Sequence, residues 1–159
     1  MNTKPLVVIA CPPETGHTIP LLPHSAHLIK QGYTVHFIGS PDFEQAIRQT
    51  GATFYPIQNV WNDEKYEEFM TYSEPLEQAV WGIKACFGVL VPMAMQVLQD
   101  VLERLREEQP ERNVVIVQEL GSMGSWPFVL GAPLPKGHVE YPKVYSSGDS
   151  RIYKLTLFR

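Results

Sequence analysis

Apolar positions along the chain fall into two rhythms, short continuous runs and stripes at helical spacing. Residues 6–11 (Leu-Val-Val-Ile-Ala-Cys) are nearly all apolar and rich in β-branching. That pattern predicts a strand buried on both faces, hence parallel and central. Beyond a loop, Leu21, Leu22, Ser25, Ala26, Leu28 and Ile29 trace one helical face, which Gln31-Gly32 stops. Pro20 suits a first turn, whereas Pro23 removes a backbone bond, so the helix is expected to start irregularly. Residues 33–39 predict a second strand. Ser40-Pro41-Asp42 then supplies a capping hydroxyl, a first-turn proline and a first-turn acid. Phe43, Ala46 and Ile47 give that helix its apolar side, Gly51 ends it, and residues 52–57 predict a third strand.

The regularity then breaks. Residues 59–73 mix aromatic and acidic side chains, among them Trp61, Tyr66, Phe69 and Tyr72, and form a long insert of the kind that often carries function. Ser73 and Pro75 start a helix with the stripe Leu76, Val80, Ile83, Phe87, Leu90, which Pro92 is expected to interrupt. A second stripe follows at Ala94, Val97, Leu98, Val101, Leu102 and Leu105, the clearest amphipathic pattern in the chain. Residues 113–117 predict a fourth strand closing on Gln118-Glu119, 122–130 a short helix, and 143–147 a fifth strand. The tail, 148–159, alternates weakly and fits an edge strand or a disordered end equally. Strands alternating with helices predict an α/β fold with a doubly wound parallel sheet in the order 3-2-1-4-5. One domain spans 1–147, with a helical and aromatic insert at 58–112.

Composition narrows the class. A chain of 159 residues fits one domain, and 44% hydrophobic with 19% charged residues is an ordinary globular balance. The net charge of −4 gives no basic face for nucleic acid. Cys11 and Cys86 form no disulfide framework, and as reduced thiols in apolar surroundings they suit a cytoplasmic protein. The N-terminus does not read as a signal peptide. The apolar stretch 85–95 is too short to span a bilayer and contains Pro92, so no transmembrane segment is expected.

Candidate chemistry follows from topology. In a 3-2-1-4-5 sheet, strands one and four are neighbours whose connections leave on opposite faces, and the crevice at their C-terminal ends is the expected ligand site. His17 lies past strand one, and Gln118 and Glu119 lie at the end of strand four. The pattern therefore brings together residues about a hundred positions apart. A histidine oriented by a carboxylate is a general base suited to neutral pH. Adjacent strand residues point to opposite faces, so Glu119 is expected to reach His17 only if the strand end is rotated. His24 and His27 read as helix-surface residues and His36 as a strand residue, and no set has metal-ligand spacing. The loop carries neither G-x-G-x-x-G nor G-x-x-x-x-G-K-[ST], so no dinucleotide and no resident cofactor is expected. Trp61, Tyr66, Phe69, Tyr72, Trp81 and Phe87 fit a core or the lining of an apolar substrate site.

Gly16-His17-Thr18-Ile19-Pro20-Leu21-Leu22, followed by His27-Leu28-Ile29-Lys30-Gln31-Gly32-Tyr33-Thr34-Val35-His36-Phe37-Ile38-Gly39, resembles the start of a family 1 UDP-glycosyltransferase. Phe43-Glu44, Gly51-Ala52-Thr53-Phe54-Tyr55-Pro56-Ile57, residues 114–117 and Leu130-Gly131-Ala132-Pro133-Leu134-Pro135 extend the likeness. It is weaker between 59 and 112. The resemblance implies the Rossmann-like acceptor-binding half of a GT-B fold. It implies that His17 removes a proton from an acceptor hydroxyl, whose oxygen then displaces the nucleotide from a UDP-sugar with inversion. It also implies a small, hydrophobic acceptor of the kind met in secondary metabolism, held by Gly16, Trp61, Phe69, Trp81 and Phe87.

Two departures stand out. Where many relatives have an aspartate that orients the histidine, this chain has Gln118, with Glu119 next. Relatives also carry a second domain for the UDP-sugar, and nothing here resembles its donor motif. The expectation is an acceptor half, truncated, that does not transfer sugar alone. Two alternatives stay open: the acceptor subunit of a split transferase, with an apolar interface around 122–134, or a non-catalytic module binding small molecules.

Overall fold

The computed structural model describes residues 4–59 and 63–147. Trp61 and the tail at 148–159 lie outside them. The first apolar run forms β1 (Leu6–Ala10), and all five of its residues are buried. A strand buried on both faces needs a layer on each side. Val7 and Ile9 join one core, with Leu21, Leu28 and Ile47. Leu6, Val8 and Ala10 join the other, with Leu98, Val101, Leu102 and Leu105. The two-residue period of the strand thus divides the molecule into two hydrophobic layers.

β1 pairs in parallel with β2 (Thr34–Gly39) and with β4 (Val114–Gln118). β3 (Thr53–Pro56) lies beyond β2, and β5 (Lys143–Ser146) beyond β4. The sheet order is β3-β2-β1-β4-β5, the order expected from the sequence. The chain folds outward from β1 to β3, then returns across the sheet to β4. That reversal puts the switch point between the C-terminal ends of β1 and β4.

On one face lie α1 (Thr15–Thr18), α2 (Leu22–Lys30) and α3 (Glu44–Gln49). The predicted irregular start is present: a 3-10 turn, Ile19–Leu21, leads into α2, and Pro23 is tolerated in its first turn. Gly32 and Gly51 end α2 and α3 at φ of 82° and 92°, a left-handed geometry that favours glycine.

The insert is more helical than its sequence suggested. α4 (Asp63–Met70) occupies part of the expected irregular stretch. α5 (Pro75–Ala85) begins at the predicted proline. Pro92 does not break the helix. A π-helical turn, Cys86–Leu90, joins α5 to α6 (Val91–Glu108), giving one helix over Pro75–Glu108. A proline cannot donate to the carbonyl four residues back and crowds it; the wider turn just before Pro92 relieves both problems.

The 34-residue rod is long and apolar enough, over an 18-residue window, to cross a membrane by length and composition. Its α6 half packs on the sheet through Ala94, Leu98, Val101, Leu102 and Leu105, whereas only 17% of the apolar window itself is buried. Burying each of those leucines stabilises the fold by about 1.5–3 kcal/mol. The helix expected at 122–130 is confined to α7 (Trp126–Val129).

Candidate active site

The loop after β1 is fixed from below. Cys11, Pro12 and Pro13 are buried, and Thr18 is fully buried. The carbonyl of Glu14 accepts from the amides of His17 and Thr18, both at 3.1 Å, and closes the single turn α1. Thr18 Oγ1 lies 3.6 Å from Cys11 Sγ. The turn therefore hangs on one inward residue, Thr18, while its neighbour His17 points out with 41% of its side chain exposed. Burial pushes the Cys11 thiol up to about 12, with the negative charges of Glu119 and Glu14 adding to the rise and the Thr18 contact opposing it. Cys11 is thus a protonated packing residue.

Across the switch point, the β4 ladder runs on past Gln118, because the Glu119 amide donates to the Ala10 carbonyl at 3.0 Å. Gln118 and Glu119 part there. Gln118 Oε1 accepts from the hydroxyl of Ser125, a buried residue in the loop before α7. Glu119 Oε2 lies 2.8 Å from His17 Nδ1, with 17% of the Glu119 side chain exposed. It also accepts from the Gly121 amide at 2.6 Å.

No rotation of the strand end is needed for Glu119 to reach the histidine. Val115 and Val117 belong to the core layer covered by α2, and Val114 and Ile116 to the layer covered by α6. Two-residue alternation carries Glu119 to the first side, where the His17 turn leads into α2, and Gln118 to the second. Strand parity, read with the side each crossover takes, is the signal that identifies the partner.

Because a carboxylate only accepts, the contact assigns the proton to Nδ1 and leaves Nε2 of the neutral ring as an acceptor. A half-exposed imidazole with a free lone pair and a carboxylate behind it can take a proton from a hydroxyl and hold the resulting charge. Among the described residues, no group of three or more His, Cys, Asp or Glu could hold a metal ion.

No sequence pattern signalled the roles of Gly121, Gly124 and Ser125. A Cβ on Gly124 would meet the Ala94 backbone at 2.8 Å, so this loop lies directly on α6. The packing around Cys11, Pro12, Leu90, Val91 and Gly121 leaves a cavity of only ≈ 10 Å³.

The predicted acceptor residues are partly assembled. Phe69 and Trp81 meet with ring centroids 5.5 Å apart. Trp81 lines a groove of ≈ 600 Å³ between α4 and α5, with Tyr72, Leu76, Val80, Ala85 and Val89. Lys65, 2.7 Å from Glu68, holds that carboxyl below its usual range, and a hydrogen bond from Trp81 helps. Phe87 stands 51% exposed in the π-helical turn, and Gly16 is exposed beside His17. Val89 lines the groove, and the next two residues, Leu90 and Val91, pack beside Gly121. The rod therefore links groove and histidine.

No protein-family model matches the chain. It is 30% identical over 161 residues to UDP-glucosyltransferase 1 of Beauveria bassiana (strain ARSEF 2860), covering 95% of this chain and 35% of that protein. It is 28% identical over 136 residues to UDP-glucosyltransferase B1 of Starmerella bombicola, covering 82% of this chain and 31% of that protein. The chain thus spans about a third of the length of the relatives it matches. Among solved structures, the glycotransferase of kitacinnamycin aligns with a TM-score of 0.52 at 19% identity, over 82% of this chain and 29% of that one. The Streptomyces sp. SF2575 glycosyltransferase SsfS6 aligns at 0.51 and 17% identity, over 97% of this chain and 42% of that one. At those identities the structures speak for the fold alone.

Proposed function

Because the chain is related to UDP-glucosyltransferases and has the fold of one half of a GT-B glycosyltransferase, we propose that it supplies the acceptor side of an inverting sugar transfer. The observation that carries the reading is the 2.8 Å contact between His17 Nδ1 and Glu119 Oε2 at the switch point of the sheet. A hydroxylated acceptor lies with its O–H toward Nε2 of His17. The ring takes the proton as the oxygen attacks the anomeric carbon of a UDP-sugar. The bond from that carbon to the diphosphate breaks, UDP leaves with the electron pair, and the configuration inverts. Glu119 holds the ring in the reactive tautomer and stabilises the imidazolium it becomes. The groove of Trp81, Tyr72, Leu76 and Val80, in the size range of small-molecule sites, favours an apolar acceptor body. The nucleotide sugar is held by protein beyond this third of the relatives' length, and UDP-glucose is the donor their names indicate.

The test completes the chain. This sequence replaces the matched third of the Beauveria bassiana enzyme, and glucoside formation is followed with apolar alcohols and phenols. His17→Ala is expected to lower transfer at least ~100-fold, the usual share of a general base, while acceptor binding persists. Undiminished transfer by His17→Ala overturns the assignment.

A further inference from the structure

Glu119 Oε2 is held by two donors at once, His17 Nδ1 at 2.8 Å and the Gly121 amide at 2.6 Å. The second donor comes from a residue whose missing side chain matters as much as its N–H. A Cβ on Gly121 would stand 3.1 Å from Glu119 Oε2, 3.2 Å from His17 Cε1 and 3.1 Å from Pro12 Cγ. Those three atoms are the carboxylate, the imidazole and the loop that carries the imidazole. The backbone of Gly121 is not in the left-handed region, so the demand here is for room and not for conformational freedom. Three residues on, Gly124 lies so close to the backbone of Ala94 that its own Cβ would come within 2.8 Å. The loop is seated on a core helix, and a side chain at 121 presses on the Glu119, His17 and Pro12 atoms in front of it.

We propose that Gly121 is a positioning residue for the His17–Glu119 pair: its amide aims the carboxylate, and its bare Cα lets carboxylate and imidazole approach to bonding distance. The inference rests on the proposed role of His17 as a base. It assigns no contact between Gly121 and the acceptor. Gly121 acts through Glu119, which fixes the tautomer of His17 and thereby the lone pair on Nε2. Loss of this seat leaves both residues present but their geometry loose, which is enough to disable a general base.

The experiment reads the pair directly and needs no sugar transfer. The full chain, labelled with ¹⁵N-histidine, is compared with Gly121→Ala, Gly121→Val and the control Gly82→Ala, whose added Cβ meets nothing within 4 Å. Wild type is expected to show His17 as the Nδ1–H tautomer with its proton protected from exchange. In Gly121→Ala, where the neighbours need give only a few tenths of an ångström, that proton is expected to exchange roughly tenfold faster. In Gly121→Val the tautomer signature is expected to be lost. Gly82→Ala keeps both. Amide dispersion and urea midpoints follow the fold separately, so a loss of stability without a tautomer change counts against the proposal. Unchanged exchange in a folded Gly121→Ala overturns the role of Gly121 while leaving the base assignment standing. A wild-type His17 with no protected Nδ1 proton overturns both.

Discussion

Replacing Glu119 by glutamine separates the charge of the His17 partner from its shape. The side chain keeps its length, and its carbonyl can still accept from His17 or Gly121. What is lost is the negative charge behind a ring that must become positive during the proposed transfer. Hydrogen bonds to a charged group are worth about 1.5–3 kcal/mol. His17 is 41% exposed, so water screens part of the interaction. The lower end applies, about 1.5 kcal/mol, which is roughly tenfold in rate. The assay is the rate of glucoside formation by the completed transferase at saturating acceptor. The expected order is His17→Ala slowest, Glu119→Gln intermediate and Gln118→Ala close to wild type, because Gln118 bonds Ser125 and not His17. Full activity in Glu119→Gln refutes the reasoning. So does a Gln118→Ala rate below that of Glu119→Gln, which would move the working partner to the last ladder residue.

Two further outcomes test the packing of buried titratable groups. With the Cys11 thiol pushed up to about 12, only ~10⁻⁴ of it is thiolate at pH 8. A maleimide or disulfide reagent on the folded protein is therefore expected to modify half-buried Cys86 and spare Cys11, with mass mapping as the check; rapid labelling at Cys11 contradicts the packing. His36 is buried in β2 beside Tyr55, and burial chiefly holds its imidazole below the usual 6.5, with Arg112 and Arg104 adding and Glu108 opposing. The unfolded chain therefore binds a proton there before the folded one does. This contribution to stability is present above about pH 6.5 and is lost as pH falls below it, by at most ~1.4 kcal/mol per pH unit. Urea unfolding at pH 7.5 and 5.5 should show a smaller difference in His36→Gln than in wild type, and an unchanged difference rules His36 out as the cause.

The sheet was legible because its strands advertise themselves twice, by β-branching within each run and by glycine or proline at its ends. Gly32 and Gly51 stand at the helix ends read from sequence, and the predicted strand order is the one observed. The candidate site was legible only as a neighbourhood. Sequence alone brought His17 to Gln118 and Glu119, but the choice between them depended on which layer each side chain joins. Strand parity contains that information once α2 and α6 are known to cover opposite faces. Gly121 and Gly124 were invisible for a different reason. Their importance lies in atoms they lack, and only the closeness of Glu119, His17 and Ala94 reveals it. Pro92 misled because a proline marks a helix break only when the preceding turn stays α-helical. Here the turn widens and the helix continues.

That continuation places two different demands on one rod. Its stripe of apolar residues runs from Leu76 to Leu105, but the sheet covers only the part from Leu90 onward. Leu76, Val80, Ile83 and Phe87 stay exposed, and α5 has no buried residue. Across the switch point, Leu120 stands 72% exposed between the two residues that hold His17 in place, and Leu130 stands 83% exposed after α7. An exposed apolar stripe such as Leu76, Val80, Ile83 and Phe87 on one helix is typical of interaction sites. His17 is thus half open to water while apolar surface approaches it from the rod and from the loop after β4. A base that must meet a hydroxyl and not bulk water works best when such surfaces are covered. In the proposed reaction the acceptor covers the groove side, and the protein that brings the nucleotide sugar covers the other. The same histidine would then pass from solvated to enclosed only when both substrates are present, which favours transfer to the acceptor over hydrolysis of the sugar nucleotide.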